Sequence, residues 1–311
     1  MNARREAAAR LDGRYEARVL EPSPPAVNAG PWFADDPVAR GEVPVGRLVV
    51  SPVATGDLRW DELAAADDEL TGWCAERWLG AYRRLAPAPA NLSETRLALH
   101  RIAEHVVSPA RRHANGKIGL RYTSGGFGTP FFGDDEQVRV AAGELIVQRR
   151  GEQHRAPITT LAAAADHIGR GALAEQLELD FKPLQIDPAA SAFIGDWYGF
   201  AASVLEELRA EAGGESGPSR VQLWPEHFDL AVELGSEAEG ARAAYGLSPG
   251  DADHPEPYLY VAPWNAPPAD ELWQATGFSG AELPYAALLD AENQRQAALR
   301  FFRARLAALI R

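Results

Sequence analysis

Val221-Gln222-Leu223-Trp224-Pro225-Glu226-His227-Phe228-Asp229-Leu230-Ala231-Val232-Glu233-Leu234 is β-like throughout, with two apolar registers rather than one. Val221 and Leu223 are apolar at odd positions, whereas Phe228, Leu230, Val232 and Leu234 are apolar at even ones. Successive strand side chains point to opposite faces, so the buried face changes parity across Trp224-Pro225. One strand from Arg220 to Glu233, bulged at Trp224-Pro225, accounts for the switch and tolerates the proline. Beyond the bulge, His227, Asp229 and Glu233 point away from the face of Phe228 and Leu230. That reading places His227 beside Asp229.

Downstream, Asp251-Ala252-Asp253-His254-Pro255-Glu256 runs into Tyr258-Leu259-Tyr260-Val261. The second run is apolar on both faces and reads as a central strand. If the extended backbone starts early, His254 and Glu256 share a face, and two His-x-acid pairs meet across neighbouring strands. His227, Asp229, His254 and Glu256 together suit a divalent metal or acid–base work. The plainer alternative is a solvated sheet face with an acidic loop beside it.

Upstream, Asp187 and Pro188 fit the cap and first position of a helix whose apolar stripe is Phe193, Ile194, Trp197, Phe200, Ala201, Val204 and Leu208. Gly213-Gly214 ends it. The first part of the chain repeats this order. A helix over 61–85 carries Leu63, Leu70, Trp73, Cys74 and Trp78 on one stripe. A second helix starts at Asn91, with Glu94 completing a capping box, and stops at Ser108-Pro109. Ile118, Leu120 and Tyr122 alternate with polar residues as a strand, and Val138 and Val140 pair with Leu145 and Val147 around Ala141–Glu144. A short helix over 159–168 follows, and another near 290–310, capped by Asp290, closes the chain. The expected fold is α+β, an antiparallel β-sheet covered by amphipathic helices, with two similar helix-then-strand halves. One domain spans 57–311, with halves at 57–180 and 181–311. Residues 1–56 hold seven prolines from Pro22 to Pro52 and read as an arm packed on the body through Trp32 and Phe33.

Composition narrows the function classes. The chain has 311 residues, 46% hydrophobic, enough for a large core without staples. Cys74 is the single cysteine, which excludes an internal disulfide and any multi-thiolate zinc site. With 44 acidic and 31 basic residues the formal charge is −13, which repels phosphate backbones and anionic lipid. No nucleic-acid or membrane partner is expected. No apolar run approaches the ~18 residues of a spanning helix, and the opening MNARREAAAR lacks the apolar core of a signal peptide. The chain therefore reads as cytoplasmic. Arg111, Arg112, His113 and Lys117 form its one basic cluster, read as a solvated helix end. The Gly-rich run Thr123–Pro130 reads as a turn, because it lacks a phosphate loop's Gly-Lys-Ser/Thr ending. Gly277-Phe278-Ser279-Gly280-Ala281 fails the nucleophile-elbow pattern at Ala281.

Trp224–Ala231 resembles a segment that recurs in uncharacterised bacterial proteins from high-G+C organisms. Gly119–Thr123 and His254–Tyr260 are similar to stretches of the same proteins. A weaker similarity over roughly 91–265 points to a family of unknown function with a helix before such a strand. The resemblance implies a shared fold and brings no activity with it.

Three functional readings follow. The first is a small-molecule-binding protein whose site is lined by Tyr122, Trp224, His227, Asp229, Tyr258, Tyr260 and Trp264. The second is a metal-dependent or acid–base enzyme using His227, Asp229, His254 and Glu256. The third is an interaction module anchored by exposed tryptophans.

Overall fold

The computed structural model describes residues 85–123, 125–130, 136–149, 152–171, 181–212, 216–267 and 270–310. The arm over 1–56, the helix expected over 61–85 with Cys74 (Leu85 apart), and Gly213-Gly214 lie outside the described residues.

Helix α1, Leu92–Ile102, buries Leu92, Leu99 and Ile102. Asn91 makes no side-chain cap bond, so the capping box read from the sequence does not form. Nor does the helix stop at Ser108-Pro109. A π-helical turn, Ala103–Val107, leads directly into α2, Ser108–Asn115. Pro109 lacks the N–H that an α-helical bond would need and would crowd the carbonyl four residues back. The wider turn, closed by the Ser108 N–H on the Ala103 carbonyl, lets the axis continue.

Five strands then form an antiparallel meander: β1 Arg121–Thr123, β2 Gly126–Gly128, β3 Gln137–Ala141, β4 Glu144–Arg149 and β5 Glu152–Pro157. Val138 pairs with Val147 and Val140 with Leu145, as the alternation predicts. Helix α3, Leu161–His167, is capped by Thr160, whose Oγ1 accepts from the Ala163 N–H at 3.0 Å. Helix α4, Pro188–Ala212, is capped by Asp187, whose Oδ1 accepts from the Ala190 N–H at 2.9 Å. Its stripe of Trp197, Phe200, Ala201, Val204 and Leu208 is fully buried. At Gly195 the helix backbone comes so close to the Gly125 carbonyl that any side chain would collide with it.

The second meander is β6 Gln222–Trp224, β7 Asp229–Leu234, β8 Ala243–Ser248, β9 Tyr258–Pro263 and β10 Ala281–Pro284. Here the bulge reading is corrected. Residues 221–234 are two strands of a hairpin, with Trp224 paired to Asp229 across the turn Pro225–Phe228. The Phe228 N–H closes this turn on the Trp224 carbonyl at 2.7 Å, and Phe228 itself is left-handed, φ 54°. Parity changes because the chain reverses. Helix α5, Tyr285–Leu289, and helix α6, Gln294–Leu309, end the structure. The cap of α6 is Asn293, which accepts from the Gln296 N–H, and Asp290 instead closes α5.

The two sheets meet at their first strands. Leu120 and Leu223 exchange both backbone hydrogen bonds, each 2.8 Å, as an isolated antiparallel bridge. Among the described residues, α1 and α2 precede the first meander and α3 follows it, while α4 precedes the second meander and α5 and α6 follow it. Helix α4 packs across both sheets, so one apolar cluster runs through both halves. At its centre Phe127, Tyr198 and Phe228 meet edge to face at 5.1–6.3 Å. The fold is the expected α+β type.

Candidate binding face

The second sheet has one face in the core and one toward the outside. Leu223, Leu230, Val232, Tyr245, Leu247, Leu259 and Val261 are buried on the core side. The alternate residues form the outer face. Register sets them in rows. Gln222, Ala231, Gly246, Tyr260 and Glu282 lie side by side across all five strands. Trp224 pairs with Asp229, and Ser248 with Tyr258, in the neighbouring row. Strand β9 is therefore not buried on both faces, because Tyr258 and Tyr260 are only half-buried.

Gly246 shapes this face. A Cβ there would collide with the Tyr260 ring, so only glycine lets that ring lie flat across β8. Lying flat, Tyr260 brings its hydroxyl to Asp229 Oδ2, to which it donates. Asp229 is 4% exposed, and its Oδ1 is buried with no hydrogen-bond partner among the described residues. Burial raises the Asp229 pKa above the usual carboxylate range, against the opposing pull of the Tyr260 hydroxyl and His227. The Tyr260 phenol is pushed well up, by burial first and then by the Asp229 charge. Phe278 packs edge-on against Tyr260 at 6.3 Å.

Beside it, residues 251–258 form a second cluster. Asp251 Oδ1 accepts the N–H groups of Asp253 and His254, both at 2.8 Å, and Oδ2 accepts the Tyr258 hydroxyl at 2.6 Å. His254 sits between two carboxylates: Nδ1 is 3.1 Å from Asp251 and Nε2 is 3.4 Å from Glu282. Partial burial would raise the Asp251 pKa, but the bonds from Tyr258, the two amides and His254 outweigh it and hold the carboxyl low. Arg96 on α1 fixes this loop from the other half. Its guanidinium donates to the carbonyls of Asp251 at 2.7 Å, Pro255 at 3.2 Å and His254 at 3.4 Å.

The seven residues expected to line a pocket divide. Trp224, Asp229, Tyr258 and Tyr260 share the outer face. Trp264 lies just past β9, 52% exposed, with the Arg242 guanidinium 5.6 Å from its ring centre. Arg242 is itself paired with Glu233 at 3.1 Å. Tyr122 is on the core side instead, buried against Gly199 of α4. His227 is exposed in the hairpin turn, because the chain reverses where a continuous strand was expected. The metal set is not gathered either. His254 is committed to Asp251 and Glu282, Glu256 is exposed, and Asp229 faces Tyr260. Among the described residues no group of three or more His, Cys, Asp or Glu is placed to hold a metal ion. The basic cluster also breaks up, since Arg111 is fully buried and donates to the Gly119 carbonyl.

Arg96, Gly246, Phe278 and Glu282 were missed. Glu282 had a local signal, the alternation of Ala281-Glu282-Leu283. The others act only through contacts distant in sequence. Among the described residues no helix is long and apolar enough to cross a membrane. No family model, no curated protein and no solved structure matches this chain.

Proposed function

We propose that the protein is a non-catalytic binding protein that uses the outer face of its second sheet to hold a basic segment of a partner protein. The observation that carries this reading is the composition of that face. Aromatic rings at Trp224, Tyr258, Tyr260 and Phe278 lie beside the carboxylates of Asp251 and Glu282 on the outer side of the second sheet. Aromatic faces and carboxylates together suit lysine and arginine side chains, whose stems pack on rings while their heads meet charge. An extended segment needs no concave site, whereas a small molecule needs one to bury most of its surface.

Binding is measured by tryptophan fluorescence with a short peptide alternating Arg and Leu and a control alternating Glu and Leu. The basic peptide is expected to bind with an affinity that falls as salt rises, and Glu282→Gln and Tyr258→Ala are each expected to weaken it. Equal binding of both peptides, or none, overturns the reading.

A further inference from the structure

The turn Pro225–Phe228, between β6 and β7, is strained. Phe228 is left-handed, φ 54°, a conformation that crowds the Cβ and that a bulky residue keeps only when its surroundings enforce it. Three sets of contacts do so here. The Phe228 N–H closes the turn on the Trp224 carbonyl, and the Phe228 carbonyl accepts the Tyr198 hydroxyl at 2.7 Å. The ring is packed edge-on by Phe127 and Tyr198. His100 on α1 stacks flat on it, with ring centres 5.2 Å apart and planes within 9°. Of these three neighbouring rings only the imidazole titrates near neutrality, since burial pushes the Tyr198 phenol well up.

His100 Nε2 is buried and makes no hydrogen bond among the described residues. A neutral imidazole can leave a lone pair there, whereas an imidazolium carries an N–H on both nitrogens and buries a donor without an acceptor. We propose that His100 and Phe228 form an acid-sensitive latch: a proton taken up by the imidazole unseats its ring and releases the strained turn Pro225–Phe228. The groups around the imidazole do not offset this. Burial lowers the His100 pKa, against the pull of the Pro225 carbonyl, Glu104 and the Glu226 carbonyl, and His105 adds to the lowering. Glu104 on the π-helical turn and Glu226 and His227 on the hairpin turn are exposed, and Asp229 is engaged by Tyr260. The native state thus holds this proton less tightly than the released state. The latch is closed above the usual histidine value of about 6.5 and opens as the pH falls through it. Trp224 and Asp229 pair across the turn, so its release reshapes that edge of the outer face whatever the face binds.

Amide exchange followed by NMR between about pH 5 and about pH 7.5, corrected for the intrinsic pH dependence of exchange, reads the latch with no ligand present. In wild-type protein, protection at the Phe228 N–H is expected to fall about tenfold toward the acid end, while amides bonded within β7 and β8 keep theirs. His100→Phe retains a ring for the stack and cannot take up a proton, so its Phe228 amide is expected to stay protected across the range. The imidazole signal that this variant lacks is expected to titrate below the usual histidine value in wild-type protein. Equal loss of Phe228 protection in wild type and His100→Phe overturns the proposal. Protection at Phe228 that does not change with pH in wild type overturns it without recourse to the variant.

Discussion

The Tyr260 hydroxyl reaches Asp229 from two strands away, passing over the bare backbone of Gly246. The contact closes off a carboxyl that burial already makes reluctant to ionise. Its consequence for stability has a definite sign. The native state holds the Asp229 proton more tightly than the unfolded chain, so native stability falls as pH rises from the unfolded carboxyl value through the raised native one. Asp229→Asn removes that loss. The variant is expected to match wild type in acid and to become relatively more stable toward neutral pH, read from urea midpoints across a pH series. A difference that stays flat with pH would show that Asp229 ionises as freely in the native state as in the unfolded chain.

Gly246→Ala tests the same contact from below. The added methyl meets the Tyr260 ring, and the expected loss is about 1–3 kcal/mol, as for other overpacked sites. In a Tyr260→Ala background the collision partner is gone, so the same substitution is expected to cost far less. Double-mutant analysis by chemical denaturation reads the coupling directly. Additive effects would mean that the ring does not lie over this glycine.

Arg96 links the halves by holding three carbonyls of the loop that carries Asp251 and His254. Arg96→Ala leaves those carbonyls to water and releases the loop. A loss of about 1.5–3 kcal/mol is expected, as for hydrogen bonds to a charged donor. Amide exchange at Asp253 and His254, whose N–H groups both bond to Asp251, is expected to speed up before that of β9 does.

Local periodicity made the elements legible where both their faces were simple. The α4 stripe and the Val138/Val147 and Val140/Leu145 pairs follow from spacing alone. It misled at Trp224-Pro225, where a change of parity fits a bulge and a reversal equally well. The arbiter is the left-handed Phe228, which nothing in a phenylalanine announces. The same ambiguity decided the site. A continuous strand puts His227 and Asp229 on one face, whereas the turn leaves His227 exposed, acting on Asp229 only through its charge. Trp224, Asp229, Tyr258 and Tyr260 share a face because pairing register fixes parity across the sheet, although Tyr258–Val261 reads from its sequence as buried on both faces. Arg96 and Gly246 were invisible because their roles arise from chain segments more than a dozen residues away or from the space a side chain would need.

The tight turn between β3 and β4 places Ala142 at φ 50° and Gly143 at φ 81°, both left-handed. Glycine adopts this conformation freely, but alanine brings its Cβ too close to the following carbonyl. Asparagine tolerates the left-handed region and, followed by glycine, is the pair that two-residue hairpin turns of this kind favour. Ala142→Asn is therefore expected to stabilise the protein by about 1 kcal/mol, because it relieves strain at an exposed position where the alanine methyl is not part of the core. A rise in melting temperature with unchanged spectra would support the left-handed pair. A fall would mean that the turn between Ala141 and Glu144 has another shape, and the register of β3 against β4 would need to be drawn again.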